Sequence, residues 1–385
     1  MTDFKASPEP NPLKGRTATD RLIETPPFDH GPKASGLFLT AMKEAVARHI
    51  KNCAAFRGLC RMQCFTPTSL KSPADIPGIP FISVHALKER ELRFTKKGRT
   101  ELELTSSGTT GQKSRILLDA VSLLRVRRMA WQVFKGLDLV DDSRTADYIC
   151  FTYDPDVAKN LGTAWTDRLL TGFTKTGEIY WAFKWDRAAE EFRFDIVRAV
   201  EVLERYERNG RPVRIIGFPA FALRLVEEFR KKHGRNAHLN PDSKVITGGG
   251  WKNEQDKAVD KQIMRADIAG GLGLPPGSVR DLFGMVEHGV PYVDCVLGNF
   301  HIPVYSMVIA RDPATLKPLP SGSTGLLQFL TPYLTSYPSI SLLSGDFGMV
   351  REKCRCGLKG SILHITGRAG VKKLKGCAIA ASTML

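Results

Sequence analysis

Leu39, Met42, Val46 and Ile50 recur at every third or fourth position, a spacing that predicts one amphipathic helix ending before Cys53. Beyond it the period changes. The runs "DYICFTYD" and "EIYWAFKW" read as strands, and "PVRIIGFP" reads as a strand entering a turn. A helix, "AFALRLVEEFRKKHG", follows that turn and is closed by its glycine, and "SKVITGGG" is a further strand running into a Gly loop. Strands alternating with helices predict an α/β fold whose ligands sit beyond the carboxyl ends of the strands. "RDPATLKPLPSGSTG" reads as a hairpin or a lobe-connecting loop before the strand "LLQFLTPY". No internal repeat stands out. Residues 1–35 are polar and Pro-rich and read as an extended leader, 36–365 as the main domain, and 366–385 as a hinge with a short tail.

Composition narrows the class. A chain of 385 residues with 42% apolar and 25% charged residues can bury a large core and is ordinary for a soluble protein. No run approaches the roughly 20 apolar residues of a membrane span, and the N-terminus lacks the hydrophobic core of a secretory signal, so a cytoplasmic protein is expected. The net charge of +16 would attract nucleotides, nucleic acid or an acidic partner. The basic residues are scattered, however, and no nucleic-acid-binding pattern appears, which makes nucleic acid the weakest of the candidate partners. Eight cysteines without a repeating framework read as reduced thiols.

Three features carry candidate chemistry. The first is "LTSSGTTGQKS", residues 104–114, with hydroxyls at Thr105, Ser106, Ser107, Thr109 and Thr110 and glycines at Gly108 and Gly111. Such a loop can wrap phosphate oxygens with backbone N–H groups and hydroxyls, although it is not a Walker loop, and composition alone fits an ordinary turn equally well. The second is Cys295-x₅-His301 with a distant Cys354-x-Cys356. Two soft pairs can close a Cys₃His zinc site pinning the region after Glu287 to the strand before the hinge; core cysteines with a surface histidine fit equally well. The third is Cys377, eight residues from the C-terminus, behind Lys372, Lys373 and Lys375 and between Gly376 and Ala378. The lysines can raise its thiolate fraction and the small neighbours leave it approachable, yet alone it reads as a thiol in a frayed end. His85, His288 and His364 read as structural.

Taken in order, the motifs resemble those of the adenylate-forming superfamily, which includes acyl- and aryl-CoA ligases. "SSGTTG" resembles its phosphate loop and "TGGGW", with Gly248, Gly249 and Gly250, its adenine-side loop. "DLFGMVE" resembles its aromatic-Gly-x-x-Glu motif, which makes Phe283 an adenine neighbour beside Gly284 and Glu287 the Mg²⁺-linked carboxylate. "SGDFG" resembles the motif whose aspartate, here Asp346, binds ribose hydroxyls, and "ITGR" the hinge motif carrying Arg368. The resemblance implies a large domain of mixed sheets flanked by helices, with ATP and Mg²⁺ as cofactors. A carboxylate would attack the α-phosphate and expel pyrophosphate, so negative charge must be gathered and neutralised.

Two departures narrow it. "GQKS" stands where general acyl-CoA synthetases place Pro-Lys, and 17 residues follow Arg368 where they continue for roughly a domain-sized hundred. "CRCGLKG" is similar to an element of phenylacetate-CoA ligases. The length and the tail "GCAIAAS" most resemble the acyl-protein synthetase (long-chain fatty acid–luciferin-component ligase) family of bacterial luminescence operons. That likeness implies a short tail in place of the mobile domain, a fatty acid substrate and transfer of the acyl group from AMP to Cys377. It also implies an acyl-CoA-reductase-like partner and an acyltransferase subunit. The alternatives are a phenylacetate-type CoA ligase in which Cys377 is idle, and a non-catalytic scaffold for a reductase.

Overall fold

Thr17 sets the first element. Its hydroxyl accepts from the Asp20 N–H and the Asp20 carboxylate accepts from the Thr17 N–H, a capping box that opens helix α1 (Ala18–Ile23). A computed structural model describes residues 17–89, 92, 94, 100–105, 114–140, 143–154, 157, 162–186, 191–249 and 260–368. Helices α2 (Pro32–Asn52) and α3 (Ala54–Met62) follow, then the short strand β1 (Ile82–Ser83) and α4 (Val84–Glu89). The predicted helix is α2; its buried face is Phe38, Ala41, Met42, Ala45, Val46 and His49, rotated slightly from the predicted stripe. The antiparallel pair β2 (Leu102–Thr105) and β3 (Arg115–Leu118) leads into α5 (Ala120–Gly136).

The segment expected to be an extended leader is α1 and the start of α2 over the described residues up to 35. Ala18, Leu22 and Ile23 supply apolar surface, and Asp20 forms an ion pair with Arg125 of α5 at 2.7 Å, each side chain at most 3% exposed. Arg125 also donates to the Thr17 hydroxyl and the Tyr333 carbonyl oxygen, so the buried guanidinium is fully engaged. Thr17→Ala removes both the cap and an acceptor of Arg125. It is expected to cost about 1–2 kcal/mol, seen as a lower urea midpoint at unchanged m.

The first sheet is built from β4 (Thr145–Tyr153), β5 (Lys175–Asp186), β6 (Glu191–Phe194), β7 (Val213–Gly217), β8 (Lys244–Gly248), β9 (Val279–Phe283) and β10 (Tyr292–Val293). Its order is β10-β9-β8-β7-β4-β5-β6, parallel from β9 to β5 with antiparallel edges. Helices α6 (Gly162–Thr171), α7 (Ile196–Asn209), α8 (Pro219–His233) and α9 (Lys261–Gly271) connect the strands. As predicted, α8 ends at a glycine, Gly234, in the left-handed conformation. From Ala146 to Tyr153, β4 is buried throughout because both faces are covered. Ile149 and Phe151 join a core with α7, α8 and α9, whereas Tyr148 and Cys150 join a larger core shared with α5 and the second sheet.

The second sheet contains β11 (Phe300–His301), β12 (Met307–Arg311), β13 (Gly325–Leu330), β14 (Ser341–Arg351) and β15 (Ile362–Arg368) in the order β11-β15-β14-β13-β12, with β1 added to the start of β14. The β12–β13 connection is the hairpin arm of the sequence reading. The strand β15 runs through Arg368, so residues 366–368 belong to the sheet; 369–385 lie outside the described residues. No helix among the described residues is long and apolar enough to cross a membrane.

Candidate active site

Parallel register lines up the carboxyl ends of β4, β7, β8 and β9: Phe151 stands opposite Gly217, Gly217 opposite Thr247, and Gly248 opposite Leu282. The neighbouring ends of β8 and β9 carry four predicted site residues, Gly248, Gly249, Phe283 and Gly284. Gly249 has φ +85° and a Cβ there would meet the Phe218 ring at 2.8 Å, so glycine is required at this position. Gly284 has open space around it. Phe283 is half-buried, with ring centroids 6.1 Å from Tyr292, 6.3 Å from Phe300 and 6.0 Å from Phe329, and so joins the two sheets.

Four residues past β9, Glu287 is only 6% exposed. Its carbonyl oxygen accepts from the Ser339 hydroxyl at 2.5 Å, which ties its loop to the segment leading into β14. Burial, and then the nearby Glu287 carboxylate, push the Tyr337 hydroxyl upward. Among the described residues no cationic side chain forms an ion pair with Glu287, which is largely buried. A carboxylate can hold a hard, oxygen-preferring ion such as Mg²⁺.

The adjacent His288 is structural, as expected. It is fully buried, its Nε2 lies 2.8 Å from the Tyr292 hydroxyl, and that hydroxyl is 2.6 Å from Ser306 Oγ. Burial lowers the His288 ring to about 3, which keeps it neutral at physiological pH.

Asp346 and Arg368 meet across β14 and β15, where they are register partners. Arg368 Nε donates to Asp346 Oδ1 at 3.1 Å; the aspartate side chain is 7% exposed and the arginine 46%. A carboxylate so placed can accept from paired hydroxyls such as those of a ribose. Thr105 ends β2 opposite Arg115. Ser106, Ser107, Gly108, Thr109, Thr110, Gly111, Gly250 and Cys377 lie outside the described residues.

One group escaped the sequence reading. Asp167, on α6, is hydrogen-bonded to Thr152 near the carboxyl end of β4, and burial lifts its carboxyl to about 7. Nothing in "TAWTDRLL" marks it, because its environment comes from a strand 15 residues earlier.

The soft pairs do come together. Ligand atoms of Cys295, His301, Cys354 and Cys356 all lie within 4.8 Å of one another. Cys295 Sγ is 3.8 Å from Cys354 Sγ, and Cys356 Sγ is 3.2 Å from His301 Nε2. His301 is fully buried, not the surface histidine of the alternative reading. All four donors are soft or borderline, which suits a metal other than magnesium.

Residues 14–385 match the family model described as acyl-protein synthetase, LuxE. A long-chain-fatty-acid–luciferin-component ligase of Vibrio harveyi is 28% identical over 309 residues, covering 80% of this chain and 78% of that ligase. The enzyme of the same name from Aliivibrio fischeri is 25% identical over 346 residues, covering 89% and 87%. A crystal structure of 2-hydroxyisobutyryl-CoA ligase, in an open conformation with 2-HIB-AMP and CoA, superposes with a TM-score of 0.66. It is 14% identical, covering 89% of this chain and 76% of that one, a likeness of fold.

Proposed function

The chain belongs to the acyl-protein synthetase family, LuxE, and from that membership we propose that it activates a long-chain fatty acid with ATP and carries the acyl group on Cys377. It is an acid–thiol ligase on an adenylate-forming fold. In the first step a carboxylate oxygen of the acid attacks the α-phosphorus of ATP, an acyl-phosphate bond forms, and pyrophosphate leaves. In the second step the Cys377 thiolate attacks the acyl carbonyl, a thioester forms, and AMP leaves. A partner acyl reductase would then take the acyl group, freeing the Cys377 thiol, and reduce it to the aldehyde with hydride from NADPH.

The observation that carries the adenylation step is Glu287, a buried carboxylate beyond the β8–β9 rim without a cationic partner among the described residues. In this reading Glu287 holds Mg²⁺, which neutralises phosphate charge as it develops. In the same reading the backbone of Gly248 and Gly249 borders the adenine, Phe283 packs beside it, and Asp346 accepts from the ribose. The hydroxyls and glycines of residues 105–111 wrap the phosphates. Arg368 is the last described residue of β15 and precedes Cys377 in the sequence.

The test is intact-mass analysis after incubation with ATP, Mg²⁺ and a panel of acids, alongside acid-dependent ATP–pyrophosphate exchange. Exchange together with a hydroxylamine-sensitive acyl adduct is expected with fatty acids and without CoA. An absolute CoA requirement for AMP release, with no adduct, would favour a CoA ligase. Absence of exchange with every acid would favour a scaffold.

A further inference from the structure

We infer that Cys295, His301, Cys354 and Cys356 hold one zinc ion that fastens the β14–β15 hairpin to the edge of the first sheet and so positions the ribose-binding end of that hairpin. The spacing of the donors supports a tetrahedral site. Ligands at about 2.3 Å for sulfur and about 2.0 Å for nitrogen stand about 3.6–3.8 Å apart. The Cys295–Cys354 separation of 3.8 Å and the Cys356–His301 separation of 3.2 Å lie close to that edge length. The sulfurs are too far apart for a disulfide, and all three cysteines are free.

The surroundings are built for thiolates. The Asn299 side-chain amide donates to Cys354 Sγ at 3.3 Å, and the Leu358 N–H donates to Cys356. Gly298 at φ +80° and Gly357 at φ +89° turn the chain beside the two ligand pairs. The His301 ring presents Nε2 to the sulfurs and packs edge-on against Phe28, with centroids 5.7 Å apart. Three sulfurs and one imidazole nitrogen gathered within 4.8 Å of one another form a mixed N and S donor set, which is the set that zinc prefers.

The four ligands come from three places. Cys295 follows β10, which pairs with β9 through the Phe283–Tyr292 register, and His301 is in β11. Cys354 and Cys356 are in the turn between β14 and β15. Asp294, next to Cys295, is fully buried; Lys261 of α9 lies 3.1 Å from it and 3.1 Å from Asp281 of β9, which holds the first-sheet side firm. At the turn end of the hairpin Arg351 stands opposite Ile362, and at the other end Asp346 stands opposite Arg368, about 17 Å away along the strands. A clamp at one end of so short a lever fixes the angle of the other end.

The full chain, purified without chelator or metal-affinity tag, is expected to contain about one zinc per molecule by elemental analysis. A mercurial should release it in step with thiol modification. Cys354→Ser/Cys356→Ser should lose the zinc, whereas His301→Cys, which keeps four ligands, should retain it. Amide exchange over 344–351 and 362–368 should then rise in the zinc-free variant and remain at wild-type levels in His301→Cys, with 213–217 unchanged in both. The effect on nucleotide rests on the adenylation reading: KM for ATP should rise roughly tenfold with kcat little altered. Zinc content and amide exchange do not depend on that reading. Iron, or no metal above buffer background, overturns the zinc site. Zinc whose loss leaves exchange over β14 and β15 unchanged overturns the clamp.

Discussion

Cys377→Ser is expected to abolish covalent acylation of the chain while leaving acid-dependent ATP–pyrophosphate exchange at the wild-type rate. An acyl adenylate needs an acceptor, and a thiolate is both strongly nucleophilic and readily displaced again from its thioester. A serine hydroxyl stays protonated at neutral pH, and Lys372, Lys373 and Lys375, which raise the thiolate fraction of a cysteine, cannot ionise it. Under the proposed assignment adenylation would use residues of the sheets and transfer would use Cys377, so the two half-reactions should separate. Intact mass and hydroxylamine-released label report the second, and isotope exchange into ATP reports the first. Label bound in equal amount and linkage in the serine variant would sink the assignment. Loss of exchange together with label would show that Cys377 serves the adenylation step itself.

The second large effect is expected at Glu287. Glu287→Gln keeps the shape of the side chain and removes its charge, and pyrophosphate exchange should fall about 100- to 1000-fold, the usual consequence of losing one charge-stabilising group at a phosphoryl centre. The fold should survive, since Ser339 holds the Glu287 carbonyl oxygen and the substitution leaves that bond intact. Circular dichroism and the melting temperature therefore act as controls. Wild-type exchange in Glu287→Gln would remove this residue from the magnesium site.

Local periodicity made α2, β4, β5, β7, α8 and β8 legible, because each satisfies its pattern within a dozen or so residues. The sense of β4 as a strand buried on both faces could be read from "DYICFTYD", which barely alternates. The packing of the N-terminal segment could not. Polar, Pro-rich sequence looks extended until Arg125, 105 positions away, supplies the partner for Asp20. The same holds for the proposed metal ligands. Each donor pair is short and undiagnostic, and the long gap between them is closed by the pairing of β11 with β15. Asp167 was silent for a further reason, since its chemistry lies wholly in the burial that a neighbouring strand imposes. The adenylation motifs were legible as an ordered series. Their geometry was not, because the rim of one sheet and a strand pair of another must be brought together by tertiary packing.

The Asp346–Arg368 pair has a thermodynamic corollary. On the proposed reading, a ribose diol that takes the Asp346 oxygen held by Arg368 would compete with it, and loosening that pair would strengthen nucleotide binding by the factor by which nucleotide loosens it.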